Sequence, residues 1–188
     1  MNDENGTLRI NGHNYRILFS RQEILERVAE LAALIKADYR PADTPPILMI
    51  VLTGGLYLGV DLSQALARIG FQHHVDTVGL KRYLGDEIGG EVKFLSYPHA
   101  DLGGRDLIIV EDVVDEGCTM NFLDTYLKNL ASPPLSISYC ALCLKETHGP
   151  LDFLIKYLGY TIGEEWIVGY GLDSDQGYRG LTDIYIKI

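Results

Sequence analysis

Residues 107–120 read LIIVEDVVDEGCTM, an apolar run that passes directly into a polar segment rich in carboxylates. The four β-formers at 107–110 predict a strand buried on both faces, and Gly117 predicts a tight turn into a helix. Ligands bind at the carboxyl ends of parallel strands, where loop N–H groups and a helix N-terminus attract anions. The stretch therefore predicts a phosphate site, with Glu111 and Asp112 facing hydroxyls or hydrated Mg²⁺.

A structural role is the alternative for these acids, because carboxylates before a helix also serve as N-caps and as partners of the helix dipole. Capping needs one carboxylate. It explains neither the other acids of the segment nor the buried strand before them, so ligand binding is favoured.

The rest of the chain alternates apolar runs with helical repeats. Ser20 and Glu23 form a capping box before a helix that extends to about Asp38. An Asn-Gly pair at 11–12 predicts a short N-terminal hairpin. The other predicted elements are strands at 47–52, 71–80, 92–97 and 135–144 and helices at 56–69 and 119–130. This alternation predicts an α/β domain, a mainly parallel twisted sheet flanked by helices.

Composition limits the class of protein. The 188 residues are 47% hydrophobic with a net charge of −10, which predicts one soluble globular domain. Binding to nucleic acid is not expected, because it needs clustered Lys and Arg. The sequence has no apolar signal region at its N-terminus and no apolar run of about 18 residues, so neither secretion nor a membrane span is expected. These observations predict a cytoplasmic location.

Three cysteines predict a reducing compartment without a disulfide framework. Cys140 and Cys143 form a C-x-x-C pair inside a predicted strand, where residues three apart face opposite sides, so packing is favoured over zinc. Cys118 lies in the loop before a predicted helix and is interpreted as a small tolerated residue, with redox sensitivity as the weaker hypothesis.

The pattern Glu-Asp-Val-Val-Asp-x-Gly-x-Thr after an apolar strand resembles the phosphoribosyl pyrophosphate signature of type I phosphoribosyltransferases, and it is most similar to the hypoxanthine/guanine branch. The resemblance implies that Glu111 and Asp112 bind the ribose hydroxyls, directly or through Mg²⁺. Asp115 would act as general acid/base near N7 of a purine. The segment that would wrap the 5′-phosphate comprises Asp115, Glu116, Gly117, Cys118 and Thr119. Glu116 departs from the family, which usually has a small hydroxyl residue there.

The resemblance also implies a pyrophosphate site. Thr53 and Gly54 follow the strand at 47–52, and their glycine-rich turn would contact the pyrophosphate, although a simple tight turn explains it equally well. Thr53 stands where the family commonly has a lysine. In the predicted loop at 81–90, Arg82 and Tyr83 occupy the place of the family's Ser-Tyr pair, which closes over the pyrophosphate as a lid. We hypothesise that Arg82 replaces the charge missing at Thr53; a solvated loop of mixed charge is the alternative.

The last third carries the implied base site. Residues 165–173, EWIVGYGLD, resemble the family's aromatic-Val-Val-Gly-Tyr-x-Leu-Asp motif. Trp166 would stack on the purine, the backbone of Ile167 would read its edge, and Asp173 would hold a second Mg²⁺. Arg179 would clamp the pyrophosphate. Lys145 ends the strand at 135–144, and the resemblance implies that it donates to the 6-oxo group of the base.

The resemblance covers roughly residues 17–185 and implies a single phosphoribosyltransferase domain over 1–188, with a core of about 21–149 and a hood from about 1–20 and 150–188. It implies Mg²⁺-dependent transfer of the phosphoribosyl group to N9 of a 6-oxopurine, by a homodimer or homotetramer. The alternatives are a non-catalytic phosphoribosyl pyrophosphate-binding regulator on the same fold and an unrelated phosphate-handling receiver domain. The second would need a lone phospho-accepting Asp at the end of another strand, and the sequence shows none.

Overall fold

The computed structural model describes residues 7–39, 44–83 and 91–188. The helices there are α1 (Arg21–Asp38), α2 (Leu56–Arg68) and α3 (Cys118–Lys128). The strands are β1 (Leu8–Ile10), β2 (His13–Phe19), β3 (Ile47–Leu52), β4 (His74–Tyr83), β5 (Glu91–Ser96), β6 (Asp106–Val114), β7 (Ser136–Lys145), β8 (Ile155–Ile162), β9 (Ile167–Val168) and β10 (Ile184–Lys187).

Six of these strands form the central sheet in the order β5-β4-β3-β6-β7-β8. Neighbouring strands run parallel except for β4 and β5, which are antiparallel. Helices cover both faces, which explains why β3 and β6 are apolar without alternation. The predicted α/β fold, a mainly parallel sheet flanked by helices, is confirmed.

The core has one layer on each face of this sheet. On one face, α1 and α2 pack their buried side chains, among them Val28, Leu31 and Leu62, against the sheet. On the other face, α3 contributes Leu123 and Leu127. Complete burial of one Leu or Val side chain contributes about 1.5–3 kcal/mol, so the two layers hold the central strands, and the loops that follow them, in place.

A second, four-stranded sheet joins both ends of the chain in the order β1-β2-β10-β9. Its β1–β2 turn has positive φ at Asn11 and Gly12, as a two-residue hairpin turn requires. The sheet uses residues from both segments that the sequence analysis assigned to the hood. Residues 155–162 differ from that assignment, because β8 pairs with β7 at the edge of the central sheet.

Two sequence interpretations need correction. β4 begins at His74 and continues to Tyr83, because its end pairs with β5, where Arg82 lies opposite Val92. Arg82 is therefore a strand residue and not a loop residue, and the rest of the expected lid, 84–90, lies outside the described residues. Cys140 and Cys143 are both buried free thiols, but they belong to one cluster and do not lie on opposite faces.

No helix of the described chain combines the length and the apolar character needed to cross a membrane.

Candidate active site

Two adjoining cavities open at the carboxyl ends of β3, β6 and β7. The first, called here the Lys145 cavity, has a volume of about 280 Å³ and is bordered by Gly54, Asp112, Val113, Asp115, Lys145, Trp166, Ile167, Leu172, Asp173 and Arg179. The second, called the Gly117 cavity, has a volume of about 250 Å³ and is bordered by the ends of β3 and β4 and by residues 111–120. Asp112, Val113 and Asp115 border both cavities, so a two-part ligand can occupy them together.

The turn into α3 forms one wall of the Gly117 cavity. Gly117 has φ +79°, a left-handed conformation that disfavours other residues, and a Cβ there would lie 2.5 Å from Leu151 Cδ2. α3 begins at the next residue, so the unpaired N–H groups of its first turn lie beside Cys118 and Thr119, which border the cavity. This is a favourable environment for an anion.

Glu111 and Asp112 are buried in the carboxyl-terminal half of β6, each with 7% exposure. Burial and the neighbouring Asp112 carboxylate raise the pKa of Glu111 well above its usual value. Asp112 Oδ1 accepts a hydrogen bond of 2.8 Å from the Val113 N–H. Gly54 packs directly on Asp112, since a Cβ at position 54 would lie 2.0 Å from Asp112 Oδ2. Two adjacent buried carboxylates of this kind favour a cation or a set of hydroxyl groups between them and the solvent.

The Asp115 carboxylate and the Lys145 ammonium form an ion pair of 2.7 Å in the Lys145 cavity. Asp115 follows β6 directly, and Lys145 is the last residue of β7. Their side chains have exposures of 52% and 12%. The parallel register of β6 and β7 thus brings a proton acceptor and a pure donor to one place.

Arg179 and Asp173 form a second ion pair, of 2.6 Å, in the same cavity. Arg179 also donates a hydrogen bond of 2.6 Å to the Gly171 carbonyl. Gly171 has φ +100°, and a Cβ there would lie 2.2 Å from the Gly54 carbonyl oxygen. The close approach of these two glycines brings the loop after β3 and the segment after β9 together at the cavity.

Trp166 and Ile167 border the Lys145 cavity in different ways. The Trp166 side chain is 53% exposed, so its ring presents an open aromatic surface, whereas Ile167 is buried in β9. The Trp166 carbonyl accepts a hydrogen bond of 3.0 Å from the backbone N–H of Lys187, and this bond holds Trp166 against β10.

Arg82 and Glu116 form an ion pair of 2.6 Å in the Gly117 cavity. The Cys118 thiol also donates to Glu116 Oε2, at 3.8 Å. The Leu52–Thr53 peptide bond is cis. Thr53 is exposed and is absent from the described lining of both cavities, whereas its neighbour Gly54 borders the Lys145 cavity. The Tyr83 side chain lies outside the described part of the chain.

Several residues of the site were not predicted from the sequence. Val113 and Leu172 border the Lys145 cavity, although each stands inside a motif already quoted. Tyr170, Asp61 and Arg21 tie the segment after β9 to α1 and α2: the Tyr170 hydroxyl donates to Asp61 at 2.6 Å, and so does Arg21. A carboxylate within the amphipathic helix α2 was the available signal for this contact.

The sequence model of the phosphoribosyl transferase domain matches residues 14–175. The hypoxanthine-guanine-xanthine phosphoribosyltransferase of Tritrichomonas foetus is 33% identical over 91% of this chain and 90% of that protein. The hypoxanthine phosphoribosyltransferase of Escherichia coli K12 is 30% identical over 92% of this chain and 94% of that protein. The chain therefore belongs to the phosphoribosyl transferase domain family. Within it, the chain belongs with the hypoxanthine and hypoxanthine-guanine phosphoribosyltransferases.

Solved structures agree with this placement. A mutant of the hypoxanthine phosphoribosyltransferase of Trypanosoma cruzi, complexed with the product IMP, superposes with a TM-score of 0.84 at 29% identity, covering 96% of this chain and 93% of that one. The hypoxanthine phosphoribosyltransferase of Staphylococcus aureus superposes with a TM-score of 0.82 at 25% identity, covering 92% and 91%. The type I phosphoribosyltransferase fold expected from the resemblance is confirmed.

Proposed function

We propose that this protein is a purine salvage enzyme that transfers the phosphoribosyl group of phosphoribosyl pyrophosphate to N9 of a 6-oxopurine, namely hypoxanthine, guanine or xanthine. The products are the nucleoside monophosphate and pyrophosphate. The observation that carries this proposal is the Asp115–Lys145 pair at the junction of the two cavities. Family membership supports the same class, a pentosyltransferase.

The Gly117 cavity has the features of a phosphoribosyl site. The turn from Asp115 to Thr119 offers backbone N–H groups and the N-terminus of α3 to the 5′-phosphate. Glu111 and Asp112, behind the turn, offer carboxylate oxygens to the ribose hydroxyls. A sugar placed there has its anomeric carbon toward Asp115, which borders both cavities.

Mg²⁺ is the cofactor that we propose. Among the described residues, no three His, Cys, Asp or Glu side chains form a metal cluster. Mg²⁺ instead favours one or two carboxylates completed by substrate oxygens and water, and Glu111 with Asp112 fits that requirement. A cation would also relieve the repulsion between these two buried groups. Asp173 is the residue for a second ion. When bound, Mg²⁺ neutralises charge on the departing pyrophosphate.

The Lys145 cavity has the features of a base site. A 6-oxopurine accepts a hydrogen bond at O6, and the Lys145 ammonium has only donors, so a 6-aminopurine would leave two sets of donors facing each other. Trp166 offers a stacking surface worth roughly 0.5–1.5 kcal/mol beyond area burial. Ile167 borders the same cavity, and in this proposal its backbone reads the purine edge.

The proposed reaction is a displacement at the anomeric carbon. The bond from that carbon to the pyrophosphate oxygen breaks, the bond to N9 forms, and the purine gives up one proton. Asp115 takes or relays this proton and stabilises positive charge that develops on the ring. Arg179, held by Asp173 and the Gly171 carbonyl, would donate to the leaving pyrophosphate beside Gly54. Thr53, the neighbour of Gly54, remains part of the proposed pyrophosphate site, although it lies outside the described lining of both cavities.

The test is product formation from phosphoribosyl pyrophosphate and Mg²⁺ with hypoxanthine, guanine, xanthine and adenine in separate reactions. We expect turnover with 6-oxopurines and little with adenine, and loss of turnover when EDTA removes the metal. A purified, folded protein that binds a nucleoside monophosphate but converts none of the four bases would contradict the proposed enzymatic activity. That result would favour the alternative of a non-catalytic phosphoribosyl pyrophosphate-binding regulator.

Two further properties belong to the proposal. We place the enzyme in the cytoplasm, with which the free thiols of Cys140 and Cys143 are compatible. We also propose a homodimer or homotetramer. In its support, Leu56 and Val60 of α2 are exposed beside a largely apolar cavity of about 400 Å³, which an interface would cover. Sedimentation equilibrium measures the state directly.

A further inference from the structure

The Gly117 cavity presents an electrostatic problem for its proposed ligand. Four carboxylates border it, those of Glu111, Asp112, Asp115 and Glu116. A 5′-phosphate carries close to two negative charges, and Glu116 stands on the turn that must hold it. A bare carboxylate at that place would oppose binding, because like charges a few ångströms apart repel strongly in a partly desolvated site.

One cationic side chain in the cavity offsets the charge of Glu116. Of all the described residues that border the Gly117 cavity, Arg82 alone carries a positively charged side chain. Its Nη1 lies 2.6 Å from Glu116 Oε2, and its side chain is only 24% exposed. The negative charge that the turn adds at position 116 is thus matched by a positive charge inside the same cavity.

The fold explains how two residues so distant in sequence meet. β4 and β6 are separated by β3 in the sheet, so Arg82 reaches from the end of β4 past the carboxyl end of β3 to the turn after β6. Adjacent strands are about 4.8 Å apart, so β4 and β6 are about 10 Å apart, a distance that the long arginine side chain and the glutamate side chain span together through their 2.6 Å contact. The backbone of Arg82 is held by its antiparallel pairing with Val92 of β5.

We propose that Arg82 is a ligand of the 5′-phosphate and that Glu116 is its positioning residue. The inference rests on the proposed function and deepens it. Glu116 holds the guanidinium at the phosphate turn, and Arg82 cancels the charge of Glu116 while it binds the phosphate. A guanidinium carries five N–H donors in a planar fork, which lets one arginine serve a carboxylate and a phosphate oxygen together.

This assignment differs from the hypothesis based on sequence, in which Arg82 compensates for Thr53 at the pyrophosphate. Arg82 borders the Gly117 cavity, whereas Gly54 and Arg179 border the Lys145 cavity. The ion pair with Glu116 attaches Arg82 to the turn of the 5′-phosphate. Loss of Arg82 should weaken binding of a 5′-monophosphate under the present assignment and binding of pyrophosphate under the sequence-based hypothesis, so an experiment can separate the two.

The experiment compares dissociation constants for a nucleoside 5′-monophosphate, the matching nucleoside and pyrophosphate with Mg²⁺, measured by calorimetry. The variants are Arg82→Ala and Arg82→Lys, with Lys81→Ala as the control that removes the same charge from the neighbouring residue of β4. We expect Arg82→Ala to weaken the affinity for the monophosphate about ten- to hundred-fold, and Arg82→Lys to weaken it less. The affinities for the nucleoside and for pyrophosphate should stay within about two-fold of the wild-type values. Lys81→Ala should resemble the wild type.

A double variant tests the pairing itself. Arg82→Ala leaves Glu116 as an uncompensated charge beside the phosphate, so adding Glu116→Gln should recover roughly three- to ten-fold of the lost monophosphate affinity. A purely structural role for the pair predicts no such recovery. The KM for phosphoribosyl pyrophosphate should follow the same order, with kcat changing less.

Three results would overturn the inference: unchanged monophosphate affinity in Arg82→Ala, a loss confined to pyrophosphate, or a double variant that binds no better than Arg82→Ala. Thermal unfolding of each variant shows whether it is folded, and Arg82→Lys keeps the test valid if Arg82→Ala is not. A wild-type protein that binds no nucleoside monophosphate would contradict the proposed function itself, and the inference with it.

Discussion

The Lys145 ammonium lies 2.7 Å from the Asp115 carboxylate, at the point where the end of β7 meets the turn after β6. In the absence of a base the two groups satisfy each other. In the function that we propose, a 6-oxopurine that accepts a hydrogen bond from Lys145 would replace Asp115 as its partner and would free Asp115 to interact with the purine nitrogens. Under this proposal, base recognition and proton transfer would be coupled through the contact between Lys145 and Asp115.

The carboxylate of Asp115 is the first target for mutation. We expect Asp115→Asn to lower kcat about 10²–10⁴-fold with a much smaller change in the KM for the base, because the amide keeps the shape but cannot take the proton. Steady-state kinetics with the preferred 6-oxopurine measures this. Asp101→Asn, in an exposed loop, is the control for loss of one charge. An Asp115→Asn enzyme with normal kcat would remove Asp115 from the chemistry.

Lys145→Met tests whether Lys145 discriminates 6-oxopurines from 6-aminopurines, as we propose. The variant removes the proposed donor to O6, so we expect kcat/KM for 6-oxopurines to fall roughly ten- to hundred-fold, while the small activity with adenine changes little. The ratio between the two bases is the measured quantity. Lys156→Met, which removes a partly exposed lysine paired with Asp38, is the matched control. Equal losses for both kinds of base would show that Lys145 supports the fold of the cavity and does not select the base.

Gly54→Ala tests the close packing beneath the proposed metal site. A Cβ at this position would lie 2.0 Å from Asp112 Oδ2, so either the carboxylate or the loop must move. We expect kcat/KM to fall about ten-fold or more and the Mg²⁺ concentration needed for half activity to rise. Gly180→Ala is the control, because a Cβ there meets nothing closer than the Tyr57 hydroxyl at 3.8 Å. Normal metal dependence in Gly54→Ala would contradict the assignment of Asp112.

Asp61 holds the segment after β9 against the helices. It accepts hydrogen bonds of 2.6 Å from the Tyr170 hydroxyl and from Arg21, and its side chain is 13% exposed. Burial, followed by the hydrogen bond and charge of Asp61, raises the pKa of Tyr170. We expect Asp61→Ala to lower the free energy of unfolding by about 1–3 kcal/mol, because a buried hydroxyl and a half-buried guanidinium lose their partner.

Urea denaturation measures the effect of Asp61→Ala. Glu30→Ala is the control: Glu30 forms an exposed ion pair with Arg27 on α1, and its loss should cost about 0.5 kcal/mol or less. Equal stabilities for Asp61→Ala and the wild type would show that the contact contributes nothing.

Asp76 makes the stability of the fold depend on pH in the acid range. Partial burial raises the pKa of Asp76, but backbone N–H groups of Ala100, Thr77 and His99 outweigh burial and hold the pKa below its usual value. A lowered folded-state pKa stabilises the fold fully above the unfolded value of about 3.9, and this stabilisation is lost as the pH falls through the folded value.

We therefore expect Asp76→Asn to be less stable than the wild type at neutral pH and to approach it in acid. Unfolding free energies between about pH 7 and pH 3 measure the difference. Parallel pH profiles for the two proteins would contradict the role of Asp76.

Features that are local in sequence were predicted with nearly correct bounds. α1 was found because Ser20 and Glu23 cap it, and both bonds of the capping box are present. β3 and the unit from β6 to α3 were found because long apolar runs and Gly117 mark them. β4 was displaced by three residues at each end, since its extension depends on pairing with β5, which is distant in the chain.

The same distinction between local and distant features holds for the candidate site. The sequence by itself determined the family, the sheet and most of the charged and aromatic residues around both cavities, because apolar patterning, turn glycines and the carboxylate motif each occupy a few consecutive positions. Only the tertiary structure decided their partners: Lys145 pairs with Asp115, and Arg82 pairs with Glu116. The physical reason is that parallel strands bring together the ends of segments about 30 residues apart, so an ion pair between them depends on strand order and register, which no short stretch of sequence contains.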